Sequence, residues 1–274
     1  MGVRYDAAVL ERVSKRQRSD MWRLACDDAI EECGIVEEWF GPIQVTVFEA
    51  MPDWPALNLV LGAAEPGAIE EGHLTAAIRW ADSFEVDYRV VVAHDRPGTV
   101  TAETWLNWNG FEQRRGQLRF VRNASPVDLA PSEDLTVWEI GQEDWHGETM
   151  VDGAAEAMKL PHPASHLLFS LPVQRHWRTY TVETEGEIVS FGSMLLKDRV
   201  ALLGLDATFE RYRGRGCNTA LLGRRVQDAI EAGCETLFAE LEESEAEEIA
   251  AAARNLVRAG FVPCCRSVSW QRPL

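Results

Sequence analysis

The residues with the clearest chemical potential form a basic loop that two glycines interrupt. Residues 213–218 read Arg-Gly-Arg-Gly-Cys-Asn. An apolar, strand-like run at 200–205 precedes this loop, and the apolar spacing of an amphipathic helix follows it over 219–232. The first N–H groups of a helix lack partners and its dipole is positive there, while glycine lets an anion approach the backbone. The sequence therefore predicts a phosphate-binding loop, to which Arg211 adds positive charge.

Two other phosphate-binding motifs fit this loop less well. A P-loop needs a Gly-Lys-Ser/Thr ending, which the loop lacks. A dinucleotide-binding turn needs a third small residue, where Thr219 stands here, and its glycines follow the strand directly, whereas the polar residues 206–212 intervene in this chain. For the glycines taken alone, a plain structural turn between strand and helix stays open.

The elements around the loop follow a recognisable order. Residues 179–184 and 188–195 are rich in branched and aromatic side chains and flank a turn at Gly186, which predicts a hairpin before the loop. After the loop helix, Gly233 suits a left-handed helix terminus, and residues 236–240 predict a strand.

The last motif closes the next predicted helix. Residues 245–259 are rich in Ala and Glu, which favour a helix, and residues 254–261 read Arg-Asn-Leu-Val-Arg-Ala-Gly-Phe. With the hairpin, loop, helix and strand in this order, residues 135–270 resemble the GCN5-related N-acetyltransferase (GNAT) family, in which an Arg-Asn-x-x-Arg-x-Gly-Phe ending is common.

The resemblance implies a role for the loop. In GNAT proteins an Arg/Gln-x-x-Gly-x-Gly/Ala loop holds the pyrophosphate of acyl-CoA with its backbone N–H groups. The pattern fits residues 211–216, but the register from Arg213 agrees better with the Thr-Ala-Leu-Leu at 219–222 and is preferred; Asn218 then replaces the final small residue. The resemblance implies acetyl-CoA, or a related acyl-CoA, as the acyl donor, held by Thr208, Phe209, Arg211, Arg213, Gly214, Arg215, Gly216, Cys217, Asn218, Thr219 and Asn255.

Acyl transfer to an amine, which the resemblance also implies, needs a polarised thioester carbonyl, a neutral amine and a proton for the departing thiolate. Backbone N–H groups around residues 206–209 would stabilise the oxyanion, and a carboxylate or a water chain would deprotonate the ammonium. Asp206 is the first candidate for this base and Glu240 the second, although each is also explained as a solvated or capping carboxylate. Leu256 stands where the family often has a tyrosine as proton donor, so the acid is unassigned. At a helix start Cys217 is expected to have some thiolate character, with a small packing residue as the alternative.

The sequence of the N-terminal half predicts an order of elements similar to that of the C-terminal half, but without the glycine-containing basic loop. A Gly-Phe pair at 110–111 follows a predicted helix, as another does at 260–261, and no Arg-x-x-Gly-x-Gly segment precedes it. We interpret this half as a degenerate copy of the GNAT fold that does not bind CoA, with an unrelated α/β domain as the alternative. Helices are expected at residues 22–33, 69–81 and 100–109, and strands at 43–48, 57–61, 88–93 and from 110 toward 121.

The predicted fold class is α/β (α+β), with two GNAT-like domains that each have a central mixed, largely antiparallel sheet flanked by helices. A degenerate domain is expected at residues 1–123, a polar, proline-marked linker at 124–134, and an acyl-CoA-binding domain at 135–274. At 274 residues and 46% hydrophobic content, the chain has enough material for two ordinary cores.

Composition limits the partners. The net charge of -17 argues against a nucleic-acid partner, because phosphate backbones need clustered Lys and Arg, and it favours a cationic or neutral acceptor or simply keeps the protein soluble. No apolar run reaches membrane-spanning length, so a cytoplasmic protein is expected, and a homodimer is compatible with the sequence. Neither the six cysteines nor the spacing of the histidines predicts a metal site. Four of the histidines lie in a Trp- and Pro-rich region at residues 145–177, which in the resembling family covers the acceptor side: His146, His162, His166 and His176.

Three functions follow from these observations. The first is an acetyltransferase that moves an acyl group from acetyl-CoA directly to the amine of a small molecule or peptide. The second is a non-catalytic acyl-CoA-binding protein in which the degenerate half regulates or dimerises. The third is a nucleotide-binding oxidoreductase, which would bind a dinucleotide and not CoA.

Overall fold

A computed structural model describes residues 3–23, 25–129, 131–141, 153, 155–156, 160, 164, 166–168 and 171–273. Within these residues the chain forms the helices α1 (Ala7–Arg23), α2 (Asp27–Cys33), α3 (His73–Ala81), α4 (Thr99–Trp108), α5 (Cys217–Glu231) and α6 (Glu247–Arg258). The strands are β1 (Ile35–Phe40), β2 (Ile43–Phe48), β3 (Leu59–Leu61), β4 (Arg89–Ala93), β5 (Glu112–Asn123), β6 (Thr136–Ile140), β7 (Trp177–Thr184), β8 (Glu187–Lys197), β9 (Val200–Thr208), β10 (Thr236–Glu242) and β11 (Val262–Gln271). None of these helices combines the length and the apolar character needed to cross a membrane.

The eleven strands join one sheet, in the order β1-β2-β3-β4-β11-β5-β10-β9-β8-β7-β6. Most neighbours are antiparallel, whereas β3 with β4 and β9 with β10 are parallel. This confirms the predicted mixed, largely antiparallel sheet flanked by helices. Each half contributes one parallel pair, and the two halves share a single sheet.

The halves exchange their last strands at the centre of the sheet. β11, which ends the C-terminal half, lies between β4 and β5 of the N-terminal half. β5, which ends the N-terminal half, lies between β11 and β10. Each half therefore depends on the other for the backbone hydrogen bonds of its last strand.

The two faces of the sheet carry different helices. Leu203 of β9 and Ala239 of β10 belong to the core cluster that α5 and α6 cover. Their neighbours Leu202 and Phe238 face the other side and pack with Leu10 and the rest of the apolar face of α1. This alternation follows from the two-residue period of a strand.

Local patterns identified most elements, but β1, β6 and most of α1 were not predicted. The strand predicted at 43–48 is β2, and the helix predicted at 22–33 is two helices, because α1 ends at Arg23 and α2 begins at Asp27. Most of α1 went unrecognised. Its buried face includes Glu11, Ser14 and Lys15, and these polar residues conceal the apolar period.

The division of the chain into residues 1–123, 124–134 and 135–274 stays a prediction. The segment proposed as a linker lies against the C-terminal half, where Leu129 packs on α5 at Gly223. A β-carbon at Gly223 would meet the carbonyl oxygen of Leu129, so this contact depends on glycine.

Separately produced fragments test the strand exchange. A fragment that ends at residue 132 lacks β11, and one that starts at residue 133 lacks β5, so each exposes unpaired strand edges. We expect either fragment alone to aggregate or stay unfolded, and the two produced together to form a one-to-one complex in size-exclusion chromatography with light scattering.

The matched control is the full chain with a protease site inserted between the exposed residues Ser132 and Glu133. After cleavage it should migrate as one particle. A folded monomeric fragment of either half would contradict the exchange.

Candidate functional site

The site begins where the parallel strands β9 and β10 separate. Their last paired residues are Leu203 and Ala239. Just beyond this point β9 bulges, because Ser193 of β8 pairs with Gly204 while Phe191 pairs with Ala207. Leu205 in this bulge has a φ of 55°, a strained value for leucine that costs about 1–3 kcal/mol. The sheet thus opens at a place where the backbone of β9 is held in an unusual conformation.

The predicted phosphate-binding loop follows β9 and has the expected backbone. After a 3-10 turn at Glu210–Tyr212, Gly214 and Gly216 adopt φ values of 80° and 89°. Gly216 is the N-cap of α5, and a β-carbon on Gly214 would meet no atom within 4 Å. The first N–H groups of α5 therefore face an exposed loop that leaves room for an anion.

The loop's arginines are exposed and anchored by their neighbours. Arg211 forms an ion pair of 2.8 Å with Glu187, and the hydroxyl of Tyr212 donates to the same carboxylate. The guanidiniums of Arg211 and Arg215 lie 5.0 and 5.2 Å from the ring centre of Tyr212. Arg213 donates from Nε to the carbonyl of Thr208 at 3.5 Å. These contacts keep positive charge around the helix N-terminus.

Asp206 is held on both oxygens. Arg225, which is fully buried on α5, pairs with Oδ1 and Oδ2 at 2.5 and 2.7 Å. Gly192 makes space for this pair, because a β-carbon there would lie 2.8 Å from Oδ1 of Asp206. Asn218 donates to Oδ2 at 3.3 Å, and Asn255 on α6 donates to Asn218 at 3.1 Å. A polar chain thus connects β9, α5 and α6.

Glu240, the second predicted base, is the first residue of β10 beyond the last pair with β9. Its Oε1 lies 2.8 Å from Nε of Arg119 and accepts a hydrogen bond of 3.3 Å from Ser14 on α1. Arg119 also pairs with Glu11 at 3.2 Å. Within the described residues, Oε2 of Glu240 accepts no hydrogen bond, and the side chain is 16% exposed.

The expectation of thiolate character at Cys217 is wrong. The side chain is 2% exposed, and burial raises the pKa of the thiol above its ordinary value. The helix N-terminus and Arg215 favour the thiolate, but desolvation outweighs them. Cys217 is the packing residue of the alternative interpretation, and its backbone N–H stays available at the start of α5.

The remaining predicted residues lie on or near this opening. Thr208 shares a hydrogen bond of 2.8 Å with Ser190, the ring of Phe209 packs on Gly153, and Thr219 lies in the first turn of α5. Leu256 is buried and has no proton to give.

Of the histidines in region 145–177, the structure places two. His166 lies 3.7 Å from Glu32 and His176 precedes β7. Trp145, His146 and His162 lie outside the described residues. Across the part of the chain that the structure describes, no three His, Cys, Asp or Glu side chains group to hold a metal ion.

The N-terminal half has a counterpart of the loop with the opposite charge. Gly72 is the N-cap of α3 with a φ of 75°, so it matches Gly216 in backbone conformation. The loop that leads to it carries Glu65, Glu70 and Glu71 instead of arginines. Arg96, which follows β4, pairs with Glu65 at 2.8 and 2.6 Å and so ties together the loops after β3 and β4. This charge disfavours a phosphate group.

Sequence reasoning missed Arg225, Arg119 and the bulge at Leu205. Glycine inside a strand marks a bulge or a close approach, and Gly192 and Gly204 carried that signal. The two arginines had no such signal, because an arginine in a helix or strand pattern is ordinarily placed at the surface.

Comparisons with known proteins bear on the whole chain. Residues 147–261 match the model of the Acetyltransferase (GNAT) family. A comparison with functionally curated proteins gives no match. Among solved structures, a GCN5-related N-acetyltransferase from Kribbella flavida is similar with a TM-score of 0.63 and 15% identity, over 96% of this chain and 95% of that one.

Two further structures are similar over most of their length. A GCN5-related N-acetyltransferase from Sphaerobacter thermophilus gives a TM-score of 0.61 and 16% identity, over 93% of this chain and 94% of that one. A tandem GNAT protein from the clavulanic acid biosynthesis pathway gives 0.60 and 15%, over 84% and 77%. At these identities the similarity establishes a shared fold.

Thiol labelling tests the state of Cys217. Because burial raises its pKa, we expect little reaction with iodoacetamide at neutral pH and a reaction that grows as pH rises above the ordinary thiol range. The exposed Cys26 is the internal control and should react first. Mass spectrometry of peptides would measure both; labelling of Cys217 at neutral pH as fast as that of Cys26 would contradict the assignment.

Proposed function

We propose that the protein transfers an acetyl or related acyl group from acyl-CoA to an amine, since residues 147–261 match the model of the Acetyltransferase (GNAT) family. The observation that carries the proposal is a basic, exposed loop at the start of α5. It lies next to an opening between β9 and β10, where one oxygen of the Glu240 carboxylate accepts no hydrogen bond from the described residues. Acetyl-CoA remains the expected donor, and a cytoplasmic protein with no nucleic-acid or membrane partner remains the expected setting.

The donor would lie along the loop and the open edge of β9. The N–H groups of residues 217–219 at the start of α5 would bind the pyrophosphate, with Arg211, Arg213 and Arg215 adding charge. Phe209 donates its N–H to Val189 on β8, so by strand alternation Thr208 turns its amide toward the edge that β10 has left. An extended pantetheine arm carries amides that pair with such an edge as an added strand does.

The reaction at the opening is a direct displacement. The amine nitrogen attacks the thioester carbonyl carbon, the carbon–nitrogen bond forms, and the carbon–sulfur bond breaks. Backbone N–H groups of β9 beyond the bulge stabilise the oxyanion. Oε2 of Glu240 takes the first proton of the ammonium before the attack, and the second leaves the nitrogen to water as the amide forms. CoA leaves as a thiolate, and water returns a proton to it.

The contacts of the two carboxylates favour Glu240 over Asp206 as the base. Arg225 occupies both oxygens of Asp206, so protonation would break an ion pair with a fully buried guanidinium. The ion pair with Arg119 and the hydrogen bond from Ser14 are both at Oε1, and we propose that Oε2 receives the proton of the amine. We therefore assign Asp206 a positioning role for the bulge and for Asn218.

One observation favours a non-catalytic acyl-CoA-binding protein as the second candidate. Buried Leu256 stands where many relatives of the resembling family carry a proton-donating tyrosine. Such a protein would bind acetyl-CoA through the same loop without turnover. Water as the proton source is the explanation that the first function requires, because CoA thiolate is only weakly basic.

Matched glycine variants test the donor site. Gly216→Glu puts bulk and negative charge where the pyrophosphate would lie, so we expect it to abolish acetyl-CoA binding in calorimetry while the circular dichroism spectrum stays unchanged. Gly72→Glu is the control, because Gly72 has the same left-handed N-cap geometry and open surroundings in the other half. It should bind acetyl-CoA like the original chain; equal affinity in the Gly216→Glu variant would refute the loop assignment.

Matched carboxylate variants test the base. Glu240→Gln should lower kcat by about 100-fold to 10,000-fold, because the proton acceptor is lost. Its free energy of unfolding should change little, because Arg119 still forms its ion pair with Glu11. Asp206→Asn should instead lower the free energy of unfolding by about 3 kcal/mol, because it leaves Arg225 buried without a counter-charge. Urea denaturation and steady-state kinetics separate the two. A catalytic loss in Asp206→Asn alone, without a loss of stability, would return Asp206 to the role of base.

A further inference from the structure

Helix α1 lies along the opening between β9 and β10, on the face of the sheet opposite α5. Leu10 and Val13 pack with Leu202 and Phe238, where the strands are still paired. One turn later Ser14 donates to Glu240, which is two residues farther along β10. A helical turn and two strand residues cover similar distances, so α1 continues along the opening as the strands separate.

The next residues on this face of α1 therefore reach the open end. Gln17 confirms the direction, because its Nε2 lies 3.1 Å from the position that a β-carbon would take on Gly204. Arg18 and Met21 follow Ser14 at intervals of four and seven residues, which places them on the same helix face. This face lies on the other side of the sheet from α5, and we take it as the side from which an acceptor would approach.

Arg18 differs from the other arginines of α1. Arg12 pairs with Asp198, Arg16 with Asp20, and Arg23 with Glu37. Arg18 is half-buried, yet its guanidinium forms no hydrogen bond or ion pair within the described residues. Burial lowers its pKa, and the nearby charge of Glu240 only partly opposes that change. A half-buried cation without a partner is destabilising, and an anion that binds it removes that cost.

We infer that Arg18 binds a carboxylate of the acceptor, so that the acceptor is an amine that also carries a carboxylate, of the amino-acid class. The inference rests on the proposed acyl transfer and adds the substrate class. The amine would lie at Oε2 of Glu240 and the carboxylate at Arg18, which gives the opening two groups of opposite charge for a zwitterion.

The surroundings of Arg18 favour a small monoanion. One guanidinium balances one negative charge, and the nearby carboxylate of Glu240 would repel a dianion such as a phosphate more strongly than a monoanion. Met21, Leu205 and Ala207 are partly buried in the cluster around α1, so the wall beside Arg18 is apolar. An amino acid with an apolar side chain fits these surroundings.

The experiment uses the full chain and measures both binding and turnover. The standard amino acids are titrated by calorimetry in the presence of CoA, and acetylation from acetyl-CoA is followed by thiol release. The best amino acid is then compared with its amide, its decarboxylated amine and its aminophosphonate. These analogues keep the amine and change the group that Arg18 would bind.

Three variants complete the design. Arg18→Gln removes the charge, Arg18→Lys keeps it without the planar fork, and Arg12→Gln is the matched control on the exposed face of α1. In Arg18→Gln we expect the Kd and KM for the amino acid to rise about 10-fold to 100-fold, the loss of one charge-assisted hydrogen bond. In the same variant, the Kd and KM for the decarboxylated amine and for acetyl-CoA should stay unchanged. The Kd and KM of Arg18→Lys for the amino acid should lie between those of Arg18→Gln and of the original chain, and those of Arg12→Gln should equal those of the original chain.

The outcomes separate the inference from the proposed function. Amino-acid binding that Arg18→Gln weakens, without acetylation, would support the carboxylate site and refute the transferase. Acetylation of amines that lack a carboxylate, with amino acids bound no better, would support the transferase and overturn the inference. Unchanged amino-acid binding in Arg18→Gln, no binding of any amino acid, or tighter binding of the aminophosphonate would also overturn it.

Discussion

The pairing of β5 with both β10 and β11 is the constraint on which the rest of the structure depends. This strand belongs to the N-terminal half, yet its backbone is bonded to two strands of the C-terminal half. It brings Arg119 opposite Glu240 in the register of β5 and β10. The same guanidinium reaches Glu11, so it also holds α1 on this face of the sheet. The half that lacks the proposed phosphate-binding loop thus supplies one wall of the opening and Arg119, the counter-charge of Glu240.

The two carboxylates at the opening lie in different environments, and the roles that we propose for them follow from that difference. Asp206 faces α5, where a fully buried arginine and Asn218 occupy its oxygens. Glu240 faces α1, where Arg119 and Ser14 both contact one oxygen. A carboxylate with contacts at both oxygens is fixed in position, whereas a carboxylate with contacts at one oxygen can still accept a proton at the other. This difference is why we assign positioning to the first and proton transfer to the second.

The halves also show that a shared backbone does not imply a shared ligand. Gly72 and Gly216 have nearly the same left-handed N-cap geometry before corresponding helices. Arginines surround the second and glutamates precede the first, so only the second offers a favourable field to a phosphate. In the N-terminal half, the pair between Glu65 and Arg96 joins the two loops that would have to part for a ligand.

The sequence by itself determined the local features of this protein. The loop with its glycines, the hairpin before it and the Gly-Phe ending are set by turn chemistry, helix ends and strand periodicity, which act over a few neighbouring residues. Only the tertiary structure decided where α1 lies, and, within the described residues, which carboxylate keeps an oxygen without a hydrogen bond and which arginine of α1 has no partner. Ser14 and Glu240 are 226 residues apart, and no local pattern encodes such a contact. It arises because buried polar groups find partners only after the strands have exchanged and the sheet has closed around them.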